Sequence, residues 1–319
     1  MDEFYSVQEA QNALQRIQQR RAEDRPSQVQ LELYQMPAWG DCVEVKKYPE
    51  PDCWRITWVQ NENEVEEVVL HIQGIVVDKK VPPIRGEKKT QKLKHMRQSI
   101  TISGLGTDQF RADCEAIMDV YARLARHVPG LSAIEIKERG GFEALEISSR
   151  IFTPREQAPT MEWADIDNDI DINGFIQGVK MSDAPFVYGE ENVVYYGEEK
   201  VYENGEVRTE KIRPDKLHVG DIVDVAFSVV GLERGKGKGG IAKLLLRSVE
   251  IIDGTHTQEY QEDDIYLQQK WIKNKALSGR KTEMNQAPLK KRKMFDEGEV
   301  EETRKRFKKL TTRIVEEQQ

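Results

Sequence analysis

Two long apolar runs, Ile222–Val230 and Ile241–Ile252, are joined by a segment made mostly of glycine and cations, Gly231–Gly240. Runs this rich in β-branched residues with a glycine connector between them predict paired strands. The connector contains Arg234-Gly235-Lys236-Gly237-Lys238-Gly239-Gly240, which written as G-x-G-x-G-G imitates a phosphate-cradling loop. Such loops need a helix immediately after them, so that backbone N–H groups and the helix dipole meet the phosphate. Here a strand follows. A nucleotide-cofactor site is therefore excluded on context, and what remains is a cationic hairpin loop of the kind that wraps a nucleic-acid backbone in oligonucleotide/oligosaccharide-binding (OB) folds.

The rest of the chain supplies the surroundings of that hairpin. Ser6-Val7-Gln8-Glu9 has capping-box spacing, and Val7, Ala10, Leu14 and Ile17 recur at helical intervals until Arg25-Pro26. The stripe is thin, which predicts a helix that docks on something else. From residue 28 the period becomes two. Val29, Leu31 and Leu33 alternate with polar residues, as do Trp54, Ile56 and Trp58, and Glu64–Val77 is a long β-branched run. Pro82–Gln98 is basic, with Lys88, Lys89, Lys92, Lys94 and Arg97, and reads as a loop or exposed helix. Its part from Arg85 to Arg97 is either a solvated linker, the favoured reading, or a second contact surface. Ser99–Ser103 is a short strand. Thr107 is the expected N-cap of an amphipathic helix marked by Phe110, Cys114, Ile117, Tyr121, Leu124 and Val128, with Gly130 as its C′ residue. Gly140-Gly141 and Asn204-Gly205 each predict a β-hairpin.

The fold class that follows is α+β. Residues 1–27 form an N-terminal helix, 28–153 an α+β domain, 154–165 a linker (Pro154, Pro159), 166–264 a small OB-like β-barrel, and 265–319 a basic, largely disordered tail. Val300, Phe307, Leu310 and Ile314 allow a last helix in that tail, so both chain ends offer helices to protein partners.

Charge is unevenly spread. Lys270–Gln319 carries 15 basic and 8 acidic side chains, a net +7, and leaves the remainder with 33 against 48, a net −15. A basic tail on an acidic body points to nucleic-acid contact or nuclear addressing. Lys290-Lys291-Arg292-Lys293 has the form of a nuclear-import patch, and Arg304–Lys309 repeats the theme. No run reaches the ~18–20 apolar residues that span a bilayer, and the acidic N-terminus is no secretory signal. Three scattered cysteines make neither a disulfide framework nor a zinc set, which predicts a reducing compartment and no metal or cofactor.

The binding residues expected from this reading are Arg234, Lys236 and Lys238 on phosphates, Arg208, Arg213, Lys243 and Arg247 along the groove, and Tyr188, Tyr195, Tyr196 and Tyr202 as stacking platforms. Phe175, Phe186 and Phe227 are further aromatics of the same unit, and ordinary core packing accounts for most such residues. Single-stranded DNA is the favoured partner, and no enzymatic motif is present. A non-catalytic scaffold in a nuclear complex is the alternative, because a body at −15 repels a polyanion. A third possibility places a divalent metal on Asp165, Asp167, Asp169 and Asp171, which strand alternation would put on one face. Asp169–Gly174 imitates half of an EF-hand loop, but Lys180 stands where calcium needs a bidentate Glu.

At Leu217-His218-Val219-Gly220-Asp221-Ile222-Val223-Asp224-Val225 and Leu244–Gly254 the chain resembles a multicopy family of uncharacterised basidiomycete proteins with a "vGDIVev…LRSi.llDg" signature. The resemblance implies a fungal, nuclear setting and no particular chemistry. The strand–basic loop–strand layout is similar to OB modules generally.

Overall fold

The computed structural model describes residues 5–24, 42–59, 66–84, 90–234, 239–255 and 257. The expected strand at Val29–Leu33, the loop residues Lys236 and Lys238, and the import patch Lys290, Lys291, Arg292 and Lys293 lie outside these residues.

Helix α1 (Val7–Asp24) forms where the thin stripe predicts it. Ala10, Ala13 and Leu14 are buried against Ile75, Leu105 and Ile222, so a narrow apolar face suffices once a sheet receives it. Strands β1 (Val43–Pro49) and β2 (Asp52–Trp58) pair as a hairpin. They are followed by β3 (Leu70–Lys80), a single turn α2 (Thr90–Leu93) and β4 (Arg97–Ser103). The predicted amphipathic helix is α3 (Asp108–Ala125), which buries Phe110, Cys114, Ile117, Val120 and Leu124. Thr107 occupies its N-cap in an extended conformation but makes no side-chain capping bond. Gly130 is not the C′ residue. The helix is capped by Arg126, and Gly130, at φ +66°, closes the turn that follows.

After α3 come β5 (Leu131–Ser132), β6 (Lys137–Arg139), β7 (Phe142–Arg150) and β8 (Thr153–Pro154). Gly140 and Gly141 both take positive φ, as the tight β6–β7 turn demands. Then follow α4 (Phe175–Lys180), β9 (Phe186–Val187), β10 (Tyr195–Val201), β11 (Val207–Lys211), β12 (Ile222–Glu233) and β13 (Gly240–Asp253). β10 and β11 are the hairpin predicted at Asn204-Gly205.

The architecture is mostly β with few helices, an α+β arrangement, but its divisions differ from the expected ones. Among the described residues eleven strands share one sheet whose main path is β11-β10-β13-β12-β3-β4-β7-β6. β12 pairs antiparallel with β13 on one side and with β3 on the other, Ile222 opposite Ile75 through Phe227 opposite Leu70. Strands from both sides of 154–165 therefore interleave, and residues 1–263 form one unit in place of an α+β domain, a linker and a barrel. No separate closed barrel forms among the described residues of 166–264. Instead the run β13-β12-β3-β4-β7 curls until Ser149 Oγ on β7 donates to the Leu246 carbonyl on β13 at 2.8 Å, with no ladder pairing β7 to β13 among the described residues. The physical reason is the apolarity of β12, buried along its length to Gly231. A strand covered on both faces lies inside a sheet, and sequence neighbours alone do not supply both of its partners.

The acidic stretch at 165–171 is also not a strand. It forms turns, and Asp171 accepts the backbone N–H groups of Ile176 and Gln177, each at 2.9 Å, so its carboxylate caps α4. The four aspartates consequently share no strand face, and no group of three or more metal-ligating side chains occurs among the described residues.

Candidate functional site

The predicted cations divide sharply by what surrounds them. Arg208 pairs with Glu206 at 2.8 Å and lies over the Tyr202 ring. Arg213 pairs with Asp215 at 2.6 Å. Arg247 belongs to a closed ring of alternating charges: it reaches Glu67 at 2.6 Å and Glu191 at 3.2 Å, while Arg55 reaches the same two carboxylates at 2.9 and 2.8 Å. Burial works against the Glu191 carboxylate, yet Arg55 and Arg247 hold it below the usual range. The ring is electrically neutral, so Arg247 is already committed and does not line a free groove.

The aromatics divide too. Tyr188 and Tyr196 are buried, at 3% and 5% exposure, and offer no face for stacking. The Tyr196 hydroxyl donates to Gln98 Oε1 at 3.1 Å. Phe175, Phe186 and Phe227 are core. Tyr195 and Tyr202, 67% and 39% exposed, are the remaining candidates. Tyr195 faces a hollow shared with Asp165, Asp167, Glu190 and Glu250, and Tyr202 donates to Glu210. Both stand among carboxylates, which is a poor setting for a polyanion.

A different cleft, of about 610 Å³, lies where the curled sheet almost meets itself. Its lining includes Arg97 at the start of β4, Arg150 at the end of β7 and Lys243 near the start of β13. Arg97 and Arg150 are direct cross-strand partners. Both are half-buried, and burial depresses the pKa of each; for Arg97 the neighbouring Arg150 adds to the shift. Guanidinium groups nevertheless stay charged. Arg150 donates to Gln157 Oε1 at 2.7 Å. Among the described residues no carboxylate comes within ion-pair distance of Arg97, Arg150 or Lys243. Like charges directly opposite on adjacent strands are destabilising, so this pair is set up for an anion.

Carboxylates also line the cleft, and some of their charge is satisfied. Glu191 is in the neutral ring, while Lys47 lies 3.0 Å from Glu233 and 3.4 Å from Asp52. Trp54 Nε1 also donates to Glu233, at 2.9 Å. Glu156 has no ion pair among the described residues. Lys47 answers one charge of the two, so with Glu156 two carboxylate charges stand against Arg97, Arg150 and Lys243. Glu146 acts on Arg97 and Lys243 from beyond ion-pair distance. The excess of positive charge is a single unit, concentrated at the Arg97–Arg150 end.

The root of the basic hairpin is well defined. Arg234 is exposed, and its N–H donates to the Gly239 carbonyl at 3.0 Å. Gly240 N–H in turn donates to Gly130 O at 3.0 Å. Gly239 sits at φ +69°, and a Cβ there would lie 2.5 Å from Gly130 O, so both its conformation and its contact require glycine. Of the expected groove residues, the structure thus places Lys243 in the cleft and Arg234 at the hairpin root. Arg150 went unnoticed in the sequence because its significance comes from register with Arg97, a relation between strands far apart in the chain.

No family model and no curated protein matches the chain. Among solved structures, the single-stranded DNA-binding protein gp2.5 encoded by bacteriophage T7 aligns at 10% identity with a TM-score of 0.31, over 58% of this chain and 86% of that one. A likeness that loose carries no weight for either fold or function.

Proposed function

We propose that the chain binds single-stranded nucleic acid, DNA by preference, in the cleft between β7 and β13, with backbone phosphates on Arg97, Arg150 and Lys243. The observation that carries this reading is the Arg97–Arg150 pair: two half-buried, adjacent guanidinium groups with no carboxylate within ion-pair distance among the described residues. A phosphate between them would replace repulsion with charge-assisted, geometrically matched hydrogen bonds.

Strand connectivity supports the same reading. Taken in chain order, β3, β4, β7, β12 and β13 are neighbours in the pattern first–second, second–third, first–fourth and fourth–fifth, with the third and fifth approaching through Ser149 and Leu246. That is the path of an OB-type Greek key left partly open. OB modules hold oligonucleotides with the loops between strands one and two and between strands four and five. In this chain those connectors contain Lys88, Lys89, Lys92 and Lys94 in the first case, and Arg234, Lys236 and Lys238 in the second. We place the site of action in the nucleus, addressed by Lys290–Lys293, and assign the protein no catalytic step.

The test is binding of a fluorescent oligothymidylate across a salt series, comparing the wild type with Arg97→Gln/Arg150→Gln. Wild-type binding should weaken steeply with salt. Losing two phosphate contacts should flatten the log–log slope by about 1.4, at ~0.7 per contact on a single strand. The variant should also fold at least as stably, since a repulsion is removed. No wild-type binding at low salt, or an unchanged slope in the variant, would overturn the proposal.

A second reading, a scaffold in a nuclear complex, draws on the β10–β11 hairpin. Its exposed face carries carboxylates, including Glu206 and Glu210, and β11 is the terminal strand of the sheet path. An acidic edge of this kind suits a basic protein partner.

A further inference from the structure

Next to the cationic cleft lies a second hollow, of about 530 Å³, and the two share Arg97. Its walls are Val81, Pro82, Pro83, Ile84, Met96 and Ile151, and its polar lining is Lys80, Lys92, Arg97 and Gln98. Among the described residues no carboxylate lines it. Gln98 is unavailable to a ligand, because its amide donates to the Asn192 carbonyl at 2.9 Å and its Oε1 accepts from Tyr196. The result is an apolar pocket rimmed by cations, with no polar side chain among the described residues of its wall free to read a hydrogen-bonding pattern.

That combination specifies its occupant. A purely apolar ligand would leave Lys80 and Arg97 unanswered, and a free phosphate would leave the apolar walls wet. A nucleotide within a strand answers both, with the base against proline and aliphatic walls and the adjoining phosphate at Arg97. We infer that this pocket receives one unstacked base of the bound strand, held by apolar contact without sequence readout. The inference rests on the binding reading above and adds a base subsite to it. Packing a base against a side-chain surface is tolerant of base identity, because every base has an apolar face. Prolines and aliphatic side chains take the part here that exposed aromatics were expected to take.

The experiment separates the two levels. Affinities would be measured for an oligothymidylate roughly 15 nucleotides long and for a strand of the same length with tetrahydrofuran abasic sites throughout, which keeps every phosphate and removes every base. The wild type should bind the abasic strand at least tenfold more weakly, with the same salt slope. Met96→Ala, which enlarges the pocket at a half-buried position, should weaken binding of the normal strand and leave the abasic strand unaffected. Oligothymidylate and oligoadenylate should differ by less than the abasic substitution does. If normal and abasic strands bind equally, both with strong salt dependence, the base subsite is wrong and the phosphate cleft stands. If neither strand binds, both proposals fall together.

Discussion

Arg21 on α1 and Asp224 on β12 form an ion pair with both side chains 3% exposed, across 203 residues of chain. Glu199 meets the same guanidinium at 2.7 Å, and Asp224 also accepts from Gln73 at 3.0 Å and contacts His71 at 2.8 Å. This cluster fastens α1 to the sheet from the polar side, as Ala10 and Leu14 do from the apolar side. Removing one partner strands a buried charge, which typically costs about 3–5 kcal/mol. Arg21→Ala should therefore lower the urea midpoint strongly, and Arg21→Met/Glu199→Gln/Asp224→Leu, which removes all three charges, should recover much of the loss. A triple variant as unstable as the single one would show that the cluster contributes more than mutual neutralisation.

The same cluster sets an acid limit. Burial pushes the Asp224 carboxyl upward, but His71 and Arg21 prevail and hold it below its ordinary 3.8. A depressed carboxyl contributes stability above the unfolded value, and that contribution is lost as pH falls through the folded value. Melting temperature should be level down to about pH 4 and drop below it. Asp224→Asn should start lower and show a shallower acid limb.

Arg247 separates a structural cation from a binding one. Hydrogen bonds to charged groups contribute ~1.5–3 kcal/mol each, so Arg247→Gln should lose stability on that order by opening the ring with Glu67, Glu191 and Arg55. Its strand affinity should match wild type once folded. The contrast with Arg97→Gln/Arg150→Gln, which should keep stability and lose affinity, is the signature to measure by calorimetry and anisotropy together.

Thiol chemistry gives an inexpensive check of the core. Cys42 is exposed, whereas Cys53 and Cys114 are buried. Burial, with help from Glu143, pushes the Cys114 thiol up to about 12, and burial raises Cys53 against the opposing pull of Arg55. A thiol reagent at neutral pH should modify one cysteine promptly and the other two only in denaturant.

Gly239 should not tolerate a side chain. Gly239→Ala adds left-handed strain of about 1–3 kcal/mol and a Cβ contact with Gly130 O. The variant should melt earlier and detach the hairpin root from the turn after α3, which hydrogen exchange at Gly240 N–H would report.

Local structure was largely legible before any strand was paired. The α1 and α3 stripes, the Gly140-Gly141 and Asn204-Gly205 turns and the β12–β13 hairpin all follow from period and turn chemistry within a few residues. The interleaving was not legible, because the pairing of β12 with β3 joins residues about 150 positions apart and depends on which apolar faces remain uncovered. The same limit affected the site. Basic residues could be counted, but whether Arg247 is ion-paired to Glu67, or Arg97 feels Glu146 only from beyond ion-pair distance, depends on neighbours brought in by the sheet. Alternation likewise misread Asp165–Asp171, where an aspartate capping a short helix produced a spacing that imitates a strand.

The position of β12 between β3 and β13 also bears on how the protein is made. When a ribosome has released the first 150 residues, β3 has β4 beside it but lacks its other neighbour, and it keeps that unpaired apolar border until residue 233 has emerged. During synthesis the nascent chain therefore presents an open, sticky strand for more than 80 residues of elongation, a window in which chaperones or slow translation of the intervening segment would decide the yield of folded protein.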